Sequence, residues 1–271
     1  MTTSPPGAPL LGSAPQKQML PDGRGASVTV ALLGLLAALL VGLTLALGFG
    51  RHQQLPARGH DVGLRLQLGD VVATCRVVSD DPVIRVVDDF MTPEECQEII
   101  ALYEHELRPS TVADDADPTV NRPNPNRTSW TAFMRPGSQG DLVERIERRV
   151  VALTGKPLCN METLQLVRYV PPGQKYAPHM DYFHNSPESQ RTVTCFIYLN
   201  DTGGEAPTRF TELGLDVVPK PGRAAVWDNT PAHGRGQLPD RRLEHAGTPV
   251  QTRLKFGINC WFRSLPFRCT A

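Results

Sequence analysis

The sequence predicts an α+β domain with an antiparallel β-sandwich or barrel as its core, preceded by one membrane-spanning helix. Three observations carry this. A run rich in Leu, Ala and Val extends from Ala26 to Gly50 without a charged residue. Two capped helical patterns follow, the second ending at Gly155. Beyond Gly155 the apolar period shortens, and β-rich runs alternate with Gly/Pro/Asp turns. Helices first and strands afterwards separate into layers, unlike the alternation of βαβ units.

Residues 1–25 are rich in Pro, Gly, Ser and Gln with no apolar period and read as a disordered tail. Residues 26–50, as a helix rising about 1.5 Å per residue, reach roughly 37 Å, more than the ~30 Å hydrocarbon core of a lipid bilayer. The run exceeds the ~7–15-residue apolar stretch of a cleaved signal peptide, and no small-x-small cleavage site follows it. It has no polar face, which argues against a buried core helix. Lys17, Asp22 and Arg24 precede it and Arg51, Arg58 and Arg65 follow. That balance leaves orientation open and slightly disfavours a luminal domain. Residues 51–80 read as a spacer merging into a first strand.

Val83–Val87 is a short β-branched strand. Thr92 then suits an N-cap, Pro93 suits the first helical position and Glu95 completes a capping box. Ile99, Ile100, Leu102 and Tyr103 supply that helix's apolar side. Pro109–Arg127 is polar and long enough to be suspected of function. Asp141 is expected to cap a second helix with a stripe of Leu142, Val143, Ile146, Val150 and Leu153, stopped by Gly155. Strands are expected over Leu164–Val170, Thr192–Leu199, Leu215–Val218, Ala224–Trp227 and Lys255–Phe262. No internal repeat is present.

Composition narrows the function. Lys+Arg and Asp+Glu are 28 each, a formal net charge of zero, so a grip on nucleic acid by charge is disfavoured. With 40% hydrophobic residues the chain can pack a core. The six cysteines are far apart with no CxxC, which argues against a zinc finger and permits disulfides without requiring them.

Seven histidines are candidates for chemistry: His52, His60, His105, His179, His184, His233 and His245. In His179-Met180-Asp181 the outer two residues share a face if the segment is extended. One more imidazole would complete the two-His-one-carboxylate face of a non-haem Fe(II) centre. Alone, the motif far more often describes a surface His beside an Asp in a turn. His245 changes the balance, because it opens His-Ala-Gly-Thr-Pro-Val and Lys255 follows ten residues later. His233 reads as a loop residue, and His184 as at most a supporting neighbour.

With these residues the chain resembles the prolyl 4-hydroxylase family of Fe(II)- and 2-oxoglutarate-dependent dioxygenases, of the membrane-anchored type. The resemblance runs from about residue 83 to 264. It includes Leu164–Tyr169, Gly173–His184, Arg191–Leu199, and Pro219–Gly222 before Trp227. It implies a double-stranded β-helix (jelly-roll) core with supporting N-terminal helices, as a catalytic domain over 81–271. It implies Fe(2+) held by His179, Asp181 and His245, with 2-oxoglutarate and O2 as cosubstrates and L-ascorbate as reductant. Lys255 takes the far carboxylate of 2-oxoglutarate, with Tyr169 and Thr208 as hydrogen-bond donors. Oxidative decarboxylation then yields succinate and CO2 while one oxygen atom enters a substrate C–H bond. Asp181 separates the chain from halogenating relatives, which lack that carboxylate. The peptide-binding positions fall on Arg127, Ser129, Glu162, Tyr176, Arg191 and Trp261, and the implied partner is a proline-containing peptide or protein.

The chain also departs from the family. Thr248 stands where many relatives have a cysteine bonded to one near the C-terminus, so Cys269 loses that partner. The turn between Tyr169 and His179 has an extra residue, Gly203–Thr208 departs from the usual Gly-Gly-Glu-Thr, and Arg263 stands where some peptide hydroxylases place His. These leave the prime substrate open, to another target side chain or a small molecule; an inactive peptide-binding module is a separate alternative, and the intact His179, Asp181, His245 and Lys255 speak against it. A zinc hydrolase could use the same three ligands but has no need of Lys255. Anchored relatives imply a type II protein of the endoplasmic reticulum or Golgi with a luminal domain, if the source is eukaryotic. Of two sequons, Asn126 overlaps a motif strand and Asn200 is the credible acceptor.

Overall fold

The computed structural model describes residues 63–113, 120–135, 137, 141–183, 189–230 and 239–269. The expected tail, the apolar run over 26–50, residues 51–62, and His52, His60, His184 and His233 lie outside the described residues. Among the described residues, no helix is long and apolar enough to cross a membrane.

The strands are β1 Leu64–Leu68, β2 Val71–Asp80, β3 Val83–Asp88, β4 Arg108–Pro109, β5 Thr111–Ala113, β6 Asn121–Pro123, β7 Trp130–Met134 and β8 Leu164–Tyr169. They continue as β9 Tyr176–His179, β10 Arg191–Tyr198, β11 Thr208–Phe210, β12 Leu215–Val217, β13 Ala224–Asp228, β14 His245–Gly247 and β15 Lys255–Arg263. Helix α1 is Pro93–Tyr103 and α2 is Leu142–Thr154. A nine-stranded sheet has the order β1-β2-β3-β13-β10-β15-β8-β7-β4. A four-stranded sheet has the order β12-β11-β14-β9, and β5–β6 form a separate hairpin. The strand pairs are antiparallel. This arrangement is consistent with the expected jelly-roll core.

Strand parity divides the interior into two clusters. Alternate side chains point to opposite faces. On β10, Val193, Cys195 and Ile197 join Ile99, Ile146 and Val150 of the helices, whereas Phe196 and Tyr198 join Phe210 and Val217 of the small sheet. On β15, Phe256, Ile258, Cys260 and Phe262 take the helix side. The opposite parity leaves Lys255, Asn259 and Trp261 facing the small sheet, where they line a common pocket. Gly257 sits in that row because Phe196 crosses it; a Cβ there would lie 2.4 Å from the ring.

The helices form much as their sequence predicts. Thr92 Oγ1 accepts from the Glu95 amide at 3.2 Å, and Glu95 Oε2 accepts from the Thr92 amide at 3.0 Å. Gly155 ends α2 with φ 67°. Asp141 departs from expectation. Its backbone is already helical, with φ −93° and ψ −3°, so its carboxylate does not reach back to cap. It pairs with Arg145 one turn on, at 2.9 Å. The expected spacer is also shorter, since residues 64–80 form β1 and β2 at one edge of the large sheet. The polar stretch 109–127 contains β5 and β6.

Cys269 forms a disulfide with Cys159, 110 residues away. Thr248, at the position of the missing cysteine, donates its hydroxyl to Pro207 O at 2.9 Å. Cys75, Cys96, Cys195 and Cys260 are free and buried.

Glu95 also joins the helices to the sheet edge. Arg149 of α2, 1% exposed, donates to its two carboxylate oxygens at 2.6 and 2.7 Å. The same guanidinium donates to Asp70, in the β1–β2 turn, at 2.9 Å through each of two nitrogens. Arg149→Met takes away the two short bonds to Glu95 and leaves it only the longer contact with Arg145 at 3.3 Å, and breaking such a buried pair costs about 3–5 kcal/mol. Urea unfolding is expected to show a loss in that range. A loss below about 1 kcal/mol, the value of an exposed pair, would show that the pair does not tie these elements together.

Candidate active site

Two pairings bring the candidate ligands together. In the small sheet β14 lies on β9 with His245 opposite His179. In the large sheet β10 lies on β15 with Thr194 opposite Trp261. Asp181 follows β9 into the space between. His179 Nε2 is 3.7 Å from Asp181 Oδ1, and His245 Nε2 is 3.7 Å from Asp181 Oδ2. Donor atoms of the three residues lie within 4.8 Å of one another, close enough to hold a metal ion.

The hydrogen bonds around these residues fit an iron site. His179 Nδ1 donates to Ala177 O at 2.9 Å, and His245 Nδ1 donates to Leu243 O at 3.0 Å. With the protons on Nδ1, both Nε2 lone pairs face inward. Burial, followed by the neighbouring His245, pushes the His179 imidazole down to about 3, so it is neutral and able to ligate. Burial alone would raise the Asp181 carboxyl. His245 and His179 when protonated, Arg191 and the Thr194 hydroxyl outweigh it and hold the carboxyl down; with the imidazoles neutral, Arg191, Thr194 and Trp261 are what favour the charge. Asp181 Oδ2 accepts from Thr194 Oγ1 at 2.6 Å and from Trp261 Nε1 at 3.0 Å. Two donors on Oδ2 leave Oδ1 as the oxygen free to bind a metal. Asn229, 2% exposed, donates to Thr194 Oγ1 at 2.8 Å. The Thr194 proton is thereby directed at Asp181, since a hydroxyl has one proton to give.

Lys255 lies in the inner pocket with Tyr169, Thr208, His179, Asp181 and His245. Its ammonium donates to Ala206 O at 2.8 Å, and the rings of Tyr169, Phe196 and Tyr198 stand 5.5–5.7 Å away. Burial pushes it down to about 7. Tyr198 OH donates to Thr208 Oγ1 at 2.8 Å, which leaves the Thr208 proton to point elsewhere. The Tyr169 phenol is raised by burial, with Arg127 and a hydrogen bond to Ser129 opposing that shift.

A groove of about 790 Å³ runs from this centre to the surface. Arg127, Tyr176, Arg191 and Trp261 line it, together with Tyr103, Phe133 and Phe183. Two expected groove residues stand behind it. Ser129 is buried, with its hydroxyl 2.8 Å from that of Ser110. Glu162 accepts from Arg191 Nε at 2.8 Å and Nη2 at 2.9 Å, and also from Arg263. Tyr176 stacks on the His179 ring with centroids 3.5 Å apart. Arg191 lies 3.6 Å over the Trp261 ring, so Trp261 is already engaged on one face and at its indole nitrogen.

Nothing in the residue pattern singles out Thr194, Asn229 or Tyr198. The available signal was parity: Thr194, Phe196 and Tyr198 alternate with the apolar Val193, Cys195 and Ile197, and Thr194 is the polar residue level with Asp181.

Residues 164–263 match the family described as the 2OG-Fe(II) oxygenase superfamily. Prolyl 4-hydroxylase 5 of Arabidopsis thaliana is 33% identical over 219 residues, covering 71% of this chain and 72% of that protein. Prolyl 4-hydroxylase subunit alpha-1 of Mus musculus is 30% identical over 203 residues, covering 70% of this chain and 37% of that subunit. The viral collagen prolyl hydroxylase of Paramecium Bursaria Chlorella virus-1, solved as a 2OG complex, superposes with a TM-score of 0.54 at 26% identity. The match covers 67% of this chain and 96% of that one.

Thr194→Val keeps the shape and removes the donor to Asp181. Groups that orient a ligand from behind are worth about 10–100-fold in metal affinity. Fe(II) titration under anaerobic conditions is expected to show a loss of that order with little change in melting temperature. Unchanged affinity would mean that Asp181 Oδ2 is held without this hydroxyl.

Proposed function

The chain belongs to the prolyl 4-hydroxylase family of 2OG-Fe(II) oxygenases, and from that membership we propose that it hydroxylates prolyl residues of a peptide or protein. Fe(II), 2-oxoglutarate and O2 are required, and succinate and CO2 are released. One observation carries the reading. The His179–Asp181–His245 face, the buried Lys255 and the outer groove meet at one point between the two sheets.

His179 and His245 bind Fe(II) through Nε2 and Asp181 through Oδ1. Bound there, the metal with 2-oxoglutarate and O2 supplies the oxidative decarboxylation and the insertion of one oxygen atom into the substrate. Lys255 binds the far carboxylate of 2-oxoglutarate, and Thr208 and Tyr169 turn hydroxyls toward it. Tyr176 and Trp261 offer aromatic surface to the proline ring. Arg191 keeps its place at the groove floor because Glu162 holds two of its nitrogens. L-ascorbate is the expected reductant.

We place residues 26–50 in the membrane as an anchor, with the catalytic domain on the luminal side of the endoplasmic reticulum or Golgi in a eukaryotic host. The uncharged run supports the anchor. The Cys159–Cys269 disulfide supports an oxidising compartment. The Asn200 sequon does not add to this, because its amide nitrogen is already donating to Leu254 O and Asp201 O.

Incubation with proline-rich peptides tests the reaction. Peptide-dependent succinate and a mass gain of one oxygen on proline are expected. Succinate formation that responds to lysyl peptides or a small molecule instead would redirect the same chemistry. His179→Ala, Asp181→Ala and His245→Ala are each expected to abolish turnover while the unfolding midpoint stays near wild type, since the sheet cores are built by other residues. Near wild-type succinate formation by any of the three at saturating Fe(II) would overturn the ligand assignment.

Lys255 gives a pH signature. Burial holds it at about 7 without a counter-charge, and a bound carboxylate favours its charged form. Above that value Lys255 is neutral until 2-oxoglutarate binds, so binding takes up a proton and affinity falls as pH rises. Calorimetry at about pH 8.5 in buffers of different ionisation heat is expected to show uptake of about one proton. No uptake there would show that Lys255 is not the partner of the carboxylate.

A further inference from the structure

We propose that Asn200 is a positioning residue for Lys255, acting with the loop that runs from it to Ala206 as a clamp on the start of β15. This rests on the reading that Lys255 binds the far carboxylate of 2-oxoglutarate.

The need for a clamp comes from the sheet. Lys255 is the first residue of β15 and pairs with Tyr169 on the β8 side. On the other side the register with β10 ends at Tyr198 opposite Gly257. One further backbone bond follows, from Leu199 N to Phe256 O at 3.1 Å. There the ladder with the main chain of β10 ends, one residue short of Lys255. The Asn200 side chain takes over. Its Nδ2 donates to Leu254 O at 2.8 Å, and its Oδ1 accepts from Phe256 N at 2.7 Å. A carboxamide carries the same donor and acceptor as a peptide unit. Asn200 therefore adds one rung to the ladder, bonding the backbone immediately before and after Lys255.

The rest of the loop acts on the same segment. Glu205 Oε1 accepts from the amides of Thr252 at 3.0 Å and Arg253 at 2.7 Å, and from the Thr252 hydroxyl at 3.0 Å. Ala206 offers its carbonyl to the Lys255 ammonium at 2.8 Å from a left-handed backbone, φ 54°. A side chain disfavours that conformation. One loop thus holds the approach to β15, the peptide groups around Lys255 and the tip of its side chain. With its Cα fixed, the ammonium has a short arc to search, and less rotamer freedom is lost when a carboxylate binds.

Asn200→Ala removes both bonds, and Asn200→Asp keeps the acceptor while losing the donor. Three quantities separate the outcomes: the Kd for 2-oxoglutarate on Mn(II)-loaded protein, the Kd for Mn(II) alone, and amide exchange at Phe256 without ligand. For Asn200→Ala the expected result is a roughly tenfold weaker 2-oxoglutarate Kd, which is about 1.4 kcal/mol. Mn(II) affinity is expected to stay within twofold, and exchange at Phe256 to quicken by at least tenfold. Asn200→Asp is expected to fall between wild type and Asn200→Ala in 2-oxoglutarate affinity. Unchanged 2-oxoglutarate affinity in a folded Asn200→Ala protein overturns the proposal, as does equal loss of Mn(II) affinity, which would show general damage. Should Asn200→Ala not fold, wild-type 2-oxoglutarate affinity in Asn200→Asp overturns it. If wild type itself does not bind 2-oxoglutarate while Phe256 exchange still depends on Asn200, the functional reading has failed and the mechanical clamp stands.

Discussion

Asp181 is an ionised carboxylate enclosed between two sheets, and the centre is organised around keeping it charged there. A lone buried charge is costly enough that a carboxyl would ordinarily take up a proton instead. Here a guanidinium, an indole N–H and a threonine hydroxyl converge on its two oxygens. These groups come from β10 and β15 of the large sheet and Asp181 follows β9 of the small one, so the charge is held only when both sheets are formed and in register. A slip of one residue on β10 or β15 would turn Thr194 or Trp261 toward the helices. Thr194 and Trp261 also give the carboxylate direction, because they occupy Oδ2 and leave Oδ1 for a metal.

The inner pocket shows the opposite arrangement. Lys255 is buried with aromatic rings around it and a backbone carbonyl at its tip, and among the described residues no acid forms an ion pair with it. The Asp181 end is compensated by the protein's own groups, whereas the Lys255 end is suited to compensation by a ligand. A dicarboxylate that chelates at one end and meets a cation at the other spans these two needs. The depressed Lys255 and the Asn200 clamp are two faces of the same feature: a charge stripped of solvent has to be placed accurately to repay the cost.

The groove carries its own internal brace. Arg191 lies between the rings of Trp261 and Phe183, and Arg263 lies between Phe183 and Phe267. Glu162 accepts from both guanidiniums, and its carboxyl is held down because Arg191 and Arg263 together overcome the effect of burial. Arg268 reaches Glu162 O at 2.6 Å, and the adjacent Cys269 is tied to Cys159. The C-terminal segment thus stiffens the wall of the groove. Arg263 extends that stack from the groove floor toward the surface.

Much of this protein is legible in its residues. The capping box at Thr92, the stop at Gly155 and the five main strands are local, since each depends on near neighbours and an apolar period. The HxD, His245 and Lys255 spacings point to the chemistry through the family they resemble, whose metal and carboxylate ligands are residue types with few substitutes. Tertiary structure decided what lies between the elements. Asp141 was a sound cap by type, yet its backbone was already helical when Arg145 offered a better partner. Glu162 and Ser129 read as groove residues and stand behind it, since which face of a strand looks outward depends on the partner strand. Asn200 read as a sugar acceptor, and its role appears only when Leu254 and Phe256, more than fifty residues on, are brought against it. Cys269 could be seen to lack its usual partner, but that Cys159 replaces it is a fact of distance. Sequence determines which groups are available; folding decides which of their donors and acceptors remain free.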